Sequence, residues 1–157
     1  MAKAVIVTLA DEVTDILNKK AGGWSQSFIA TRFYTAKANL ETLDVLKVSV
    51  VTAAWRVAPD NRTDWEHQFD THIGVQFRAG PKTGDQATTK FDQLLLLVQQ
   101  ITDYFADNRP TLADCPLHPD NPISFPHGPY IQEHIETLNQ FTSVIQLTHW
   151  KIRDPDA

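Results

Sequence analysis

The sequence predicts an α+β fold: an antiparallel β-sheet with a long β-hairpin, covered on one face by helices. Three observations carry this expectation. Trp65, His67, Phe69, Thr71, Ile73, Val75 and Phe77 alternate with Glu66, Gln68, Asp70, His72, Gly74 and Gln76, which is the period of a long strand with one wet face. The preceding run Leu46 to Val57 holds no turn former, and the polar segment Pro59 to Asp64 between the two has ordinary hairpin-loop length. Phe91, Leu94, Leu95, Val98, Ile101 and Phe105 recur at helical spacing and form the stripe of a main packing helix.

The remaining elements follow in chain order. Leu9, Val13, Ile16 and Leu17 trace a first helix, with Thr8 as N-cap, Asp11 three residues on, and Gly22-Gly23 as its end. Ser27 to Tyr34 is rich in β-branched and aromatic residues and reads as a strand, followed by a polar, turn-like Lys37 to Asp44. Leu46 to Val57 is the next strand, with Val48, Val50 and Thr52 on one side. The strand Trp65 to Phe77 comes next, and after it a loose connection spans Ala79 to Asp85. The main helix then runs until Asn108 and Pro110 stop it.

Leucines are unbroken from Leu94 to Leu97, so Leu96 or Leu97 must leave the core-facing side, where it could meet a partner. Pro110 to Pro129 holds six of the nine prolines, which excludes a central strand and favours a fixed, extended excursion across the surface. Tyr130 to Asn139 reads as a short helix, and Phe141 to Arg153 as the final strand.

Composition bounds the function. A chain of 157 residues with 42% hydrophobic and 21% charged residues fits one domain, residues 1–157, large enough to fold without metals or disulfides. A single cysteine, Cys115, excludes an internal disulfide. The net charge of -5 is spread without a basic stripe, so specific nucleic-acid binding is not expected. With no apolar run of roughly 18 residues and no signal-peptide pattern, a soluble, cytosolic protein is expected, with no membrane partner.

Catalytic motifs are sparse. The nucleophile elbow, the P-loop and the dinucleotide turn are all missing, and Gly80-Pro-Lys-Thr-Gly84 lacks the spacing of a phosphate loop. His67 and His72 fall on opposite faces of their strand, and His67, beside Trp65 and Phe69, is expected to be a hydrogen-bonded core histidine. Cys115, His118, His127 and His134 offer zinc-type ligands, but their spacing fits no finger and incidental loop histidines are the expectation. Asp60, Asn61 and Asp64 lack the rest of a calcium loop. Asp103, Asp107, Glu133 and Glu136 read as solvated helix faces. The expectation is a non-enzyme with no cofactor, no metal and no catalytic residue; a small metal-dependent enzyme or ligand-binding domain, or a monomeric adaptor, are the rival readings.

Among Trp24, Trp55, Trp65 and Trp150, Trp55 and Trp65 flank the hairpin tip and are candidate intersubunit contacts, together with Leu96 and Leu97. The tip itself, Pro59, Asp60, Asn61, Arg62, Thr63 and Asp64, is a further candidate contact. Trp24 to Tyr34 (WSQSFIATRFY), Leu40 to Val51 (LETLDVLKVSVV) and Phe141 to Thr148 (FTSVIQLT) resemble segments of small head-to-tail proteins of tailed phages, nearest to tail-terminator or tail-completion proteins.

That resemblance spans most of the chain as an ordered series of elements, and Pro110 to Pro129 departs from it. It implies a homo-oligomeric ring, a hexamer, at the head-proximal end of the tail tube, located in the virion and assembled in the bacterial cytoplasm. The ring would stop tube growth, bind tail tube protein and a head-completion or neck protein, and let DNA pass without specific binding. Another neck component, a head-completion or connector protein, is the alternative in the same class. A head-to-tail ring needs two different patches on each subunit, and an acidic channel would repel phosphates rather than grip them.

Overall fold

A computed structural model describes residues 2–20, 23–35, 45–79 and 85–153. Its described elements are α1 (Val5–Lys19), β1 (Ala30–Phe33), β2 (Lys47–Pro59), β3 (Trp65–Arg78), α2 (Asp85–Asn108), β4 (Ile123–Ser124), α3 (Gln132–Leu138) and β5 (Gln140–Arg153). The α+β class and the long hairpin are as the sequence predicts. The segment 37–44, the connection after Ala79 and the Gly80–Gly84 run lie outside the described residues.

The helix α1 starts a turn earlier than expected. Val5 and Ile6 pack against the core, so Thr8 lies inside the helix, where its hydroxyl donates to Ala4 O at 3.3 Å instead of capping. Asp11 likewise caps nothing: it accepts from Lys3 Nζ at 2.8 Å and from Arg32 Nε at 2.6 Å, tying β1 to the helix. The Asn18 side chain completes the tie, accepting from Ala30 N at 2.8 Å and donating to Ala30 O at 3.1 Å.

The sheet order is β1-β2-β3-β5-β4. It is mixed rather than wholly antiparallel, because β1 runs parallel to β2, with Ala30 opposite Val48 and Phe33 opposite Val51. A parallel neighbour requires a crossover in place of a hairpin. The pairs β2–β3 and β3–β5 are long and antiparallel, so β3 is central and has a strand on each side from Trp65 to Gln76.

The core lies on one face. Leu9, Val13 and Leu17 of α1 and Leu94, Leu97, Ile101 and Phe105 of α2 meet Val48 and Val50, Ile73 and Val75, and Phe141, Ile145 and Leu147. The other face of β3, expected to be wet, is partly closed: Asp70 and Gln76 are buried. Neighbours on both strands cover them, and α3 adds a contact where His134 Nδ1 lies 2.9 Å from Thr142 Oγ1.

Asp70 is the anchor of this polar face. Its carboxylate accepts both Arg56 Nη1 and Nη2, the latter at 3.1 Å, and the Thr148 hydroxyl at 2.9 Å, linking three strands. Replacing Asp70 with alanine leaves a buried hydroxyl unpaired, while Arg56, half-exposed, regains hydration. The expected loss is therefore about 2 kcal/mol, below that of a fully buried pair. Urea unfolding of Asp70→Ala checks it, and a loss near zero would mean that the pair contributes nothing net.

The proline-rich segment is fixed, as expected, but it is not only a surface excursion. Leu112, Cys115 and Leu117 are buried, because three apolar side chains among the prolines reach the core. Leu112 and Cys115 exchange backbone hydrogen bonds of 3.0 and 2.7 Å around Ala113 and Asp114, both at positive φ, which is a tight two-residue turn. From there the segment follows the outer edge of β5, with His118 N donating to Thr148 O, Thr148 N to Pro122 O, and Trp150 N to Pro116 O. β4 continues the same edge, opposite Gln146 and Leu147. Prolines, which offer no N–H outward, close that edge against further strands.

Candidate interaction surface at the hairpin end

The far half of the hairpin is shaped by one irregularity. Thr52 pairs with Thr71 but Ala54 pairs with Asp70, so Ala53 is an extra residue in β2. A bulge of this kind moves every later side chain to the other face. Before it, Val48 and Val50 face the helices. After it, Trp55 and Val57 do, opposite Phe69 and His67.

This end of the face carries no helix. Trp55 is 54% exposed, Val57 49% and Trp65 44%, on the same side of the sheet that elsewhere forms the dry core. Trp55 is nevertheless held in place. Its indole N–H donates to His67 Nδ1 at 3.1 Å, and the Trp55 and Phe69 ring centroids are 5.7 Å apart. His67 is thus hydrogen-bonded, as the sequence suggests, but half-buried under Trp55 rather than in the core. Burial first, and the nearby Arg153 second, hold its imidazole below the ordinary value, so it stays neutral and able to accept the indole proton. His72 lies on the opposite face against Gln146 Oε1 at 2.9 Å.

Two cations flank this end of the face on β5. Trp65 pairs with Arg153 and His67 with Lys151, and among the described residues neither cation forms an ion pair. The reverse side is self-satisfied: besides Arg56 and Asp70, Glu66 Oε1 lies 3.3 Å from His118 Nε2, and His118 packs on Trp150. Beyond both, the tip is ordered by Asn61. Its side-chain oxygen accepts Thr63 N and Asp64 N, each at 2.8 Å, and its amide donates to Asp64 Oδ2 at 2.7 Å. Pro59, Asp60, Asn61, Arg62 and Thr63 are exposed.

The structure separates the two leucines that sequence left equivalent. Leu96 is 48% exposed, and Leu97 is fully buried, so Leu97 is corrected from partner contact to core. The signal existed, since Leu97 follows Leu94 by three and precedes Ile101 by four. The zinc-type residues do not come together. Cys115 is buried on the helix side, where desolvation pushes its thiol up, while His118 lies on the reverse side, His127 is exposed and His134 sits on α3. Among the described residues no group of three or more His, Cys, Asp or Glu could hold a metal, and no helix is long and apolar enough to cross a membrane. Asp103, Asp107, Glu133 and Glu136 are exposed, as expected.

Besides a more polar hollow among Lys20, Trp24, Gln100, Asp103, Tyr104 and Asp107, two mainly apolar concavities escaped the sequence. One, of about 500 Å³, lies beside β1 among Phe28, Ile29, Phe33, Val45, Leu46 and Lys47. The other, of about 330 Å³, lies between α2 and the end of the proline segment, among Leu95, Val98, Thr102, Phe125 and Pro129, with Gln99 and Asp103 at its rim. Both join residues distant in sequence, which no local periodicity marks. These features define an α+β domain with an ordered, unpartnered aromatic face at the end of its hairpin. No protein-family model matches the chain, and no curated protein matches it.

Proposed function

We propose that this chain is a non-enzymatic structural protein of a tailed phage, the tail terminator. It forms a homo-oligomeric ring, a hexamer, at the head-proximal end of the tail tube, stops tube growth and joins tail to head in the virion. The observation that supports this best is the hairpin end: Trp55, Val57 and Trp65 stay exposed, and Trp55 is braced by His67 and Phe69. Large aromatic side chains held rigidly at the surface are what protein interfaces use as anchors. The resemblance of the three segments named above supplies the phage context. In this reading Pro59 to Asp64 meets the tube or the lumen, and the ring passes DNA without specific binding.

Another neck component, a head-completion or connector protein, is the second reading, because it would use the same kind of surface on a different partner. Electron microscopy of particles carrying a label on this protein separates the two, with a deletion mutant alongside. Label at the top of the tail, with overlong or headless tails in the mutant, is the expected result. Label on the head side with free tails of normal length favours head completion, and unlabelled particles reject a virion role. Removing residues 59–64 without loss of tail joining or length control would reject the assignment of the tip.

A further inference from the structure

The hairpin face needs a complement that is apolar at its centre and acidic at its rim. It presents Trp55, Val57 and Trp65 exposed, with Lys151 and Arg153 beside them as cations that form no ion pair among the described residues. A second copy of the same face is a poor complement, since it would set two pairs of cations against each other. The groove by β1 carries Lys47 and has the same fault. The cleft beside α2 does not. Leu95, Val98, Phe125 and Pro129 give it an apolar floor, and Asp103 stands at its rim. Asp92, Leu96, Gln99 and Asp103 follow at spacings of four, three and four along the exposed side of α2. The flank of the cleft is therefore a stripe with acids at both ends and the exposed Leu96 between them, and neither acid is in an ion pair among the described residues.

We infer that the occupant of the α2 cleft is the hairpin end of a second copy of this chain, docked head to tail. A tryptophan of one copy enters the cleft of the next, and Lys151 and Arg153 face Asp92 and Asp103. The two patches differ and lie on different elements, so each copy still offers one free hairpin and one free cleft after pairing. Such a contact propagates and closes into a ring where its rotation allows. This rests on the ring reading above and gives it a specific interface.

The test uses two variants of the full chain, each altered at exposed positions on one patch. The hairpin variant carries Trp55→Ala and Trp65→Ala, and the cleft variant carries Gln99→Lys and Asp103→Lys. Each alone is expected to self-associate roughly 30-fold or more weakly than the parent, the usual cost of losing an anchor residue. Mixed, they are expected to form a one-to-one dimer that grows no further, because the mixture retains one intact cleft and one intact hairpin. Sedimentation velocity reads both results. A parallel measurement oxidises the chain carrying Val57→Cys and Gln99→Cys, with the native Cys115 buried and out of reach. A ladder of cross-linked copies is expected.

Dimers from Val57→Cys alone would mean a symmetric contact and would overturn the inference, as would the absence of both ladder and mixed dimer. Failure here leaves the phage reading to the particle-labelling experiment. A ladder from a protein that labels no particle would keep the contact and remove the phage role.

Discussion

Acidification is expected to take about 3 kcal/mol from the stability of this protein between pH 6.5 and pH 4, most of it through His149. This histidine is fully buried on the helix side of β5, where Leu117 bridges to it, and no hydrogen bond of good geometry satisfies its ring nitrogens. Burial disfavours the imidazolium and lowers the pKa from 6.5 to about 4, with the Pro110 backbone carbonyl pulling weakly the other way. Because the folded value lies below the unfolded one, the unfolded chain binds the extra proton first. Stability is therefore complete above the unfolded value and falls as pH drops through the window to the folded value.

Urea unfolding across this range measures the slope. In His149→Leu most of the slope should vanish. The remainder of the same sign belongs to His67 and, at the acid end, to Asp11, whose values are also lowered. At neutral pH the variant should be no less stable than the parent, since no hydrogen bond of good geometry is lost and a buried polar ring is replaced by an apolar side chain. An unchanged slope in the variant would rule out His149 as the acid-sensitive group.

Leu97→Ala is expected to cost about 2–5 kcal/mol, and Leu96→Ala, one residue earlier, within about 0.5 kcal/mol of nothing. Leu97 lies wholly in the core between α2 and the sheet, so its removal loses transfer free energy and leaves a cavity. Leu96 is half in solvent and has little to lose. Denaturant midpoints compare the two directly, and equal costs would require α2 to be rotated on the sheet. The same pair divides folding from assembly: Leu96→Ala should weaken self-association while leaving the fold intact, whereas Leu97→Ala should act through stability.

Much of the architecture was legible because it depends on local periodicity. The alternation from Trp65 to Phe77 sets β3 whatever its neighbours, and the apolar stripe from Phe91 to Phe105 sets α2 and its length up to Pro110. The candidate surface was legible only in outline. Trp55 and Trp65 stood out by size and position, but a regular strand would have put Trp55 on the face opposite Val48. Only the extra residue Ala53 turns it to the helix side, beside His67 and Phe69. Nothing in the run Val51-Thr-Ala-Ala-Trp55 announces that residue as a bulge, since its origin is the register against β3.

The amino-acid sequence by itself determined the class, the hairpin with its polar tip, the main helix and the absence of a disulfide, because each follows from side-chain period, turn chemistry or composition. Tertiary structure alone decided the rest. It set the parallel run of β1 beside β2, the burial of Leu112, Cys115 and Leu117 inside a proline-rich segment, and the phase of Trp55. It also made the cleft that α2 shares with Phe125 and Pro129. These outcomes depend on which distant segment lies alongside, and pairing and packing free energies between distant segments leave no mark in a local window of sequence.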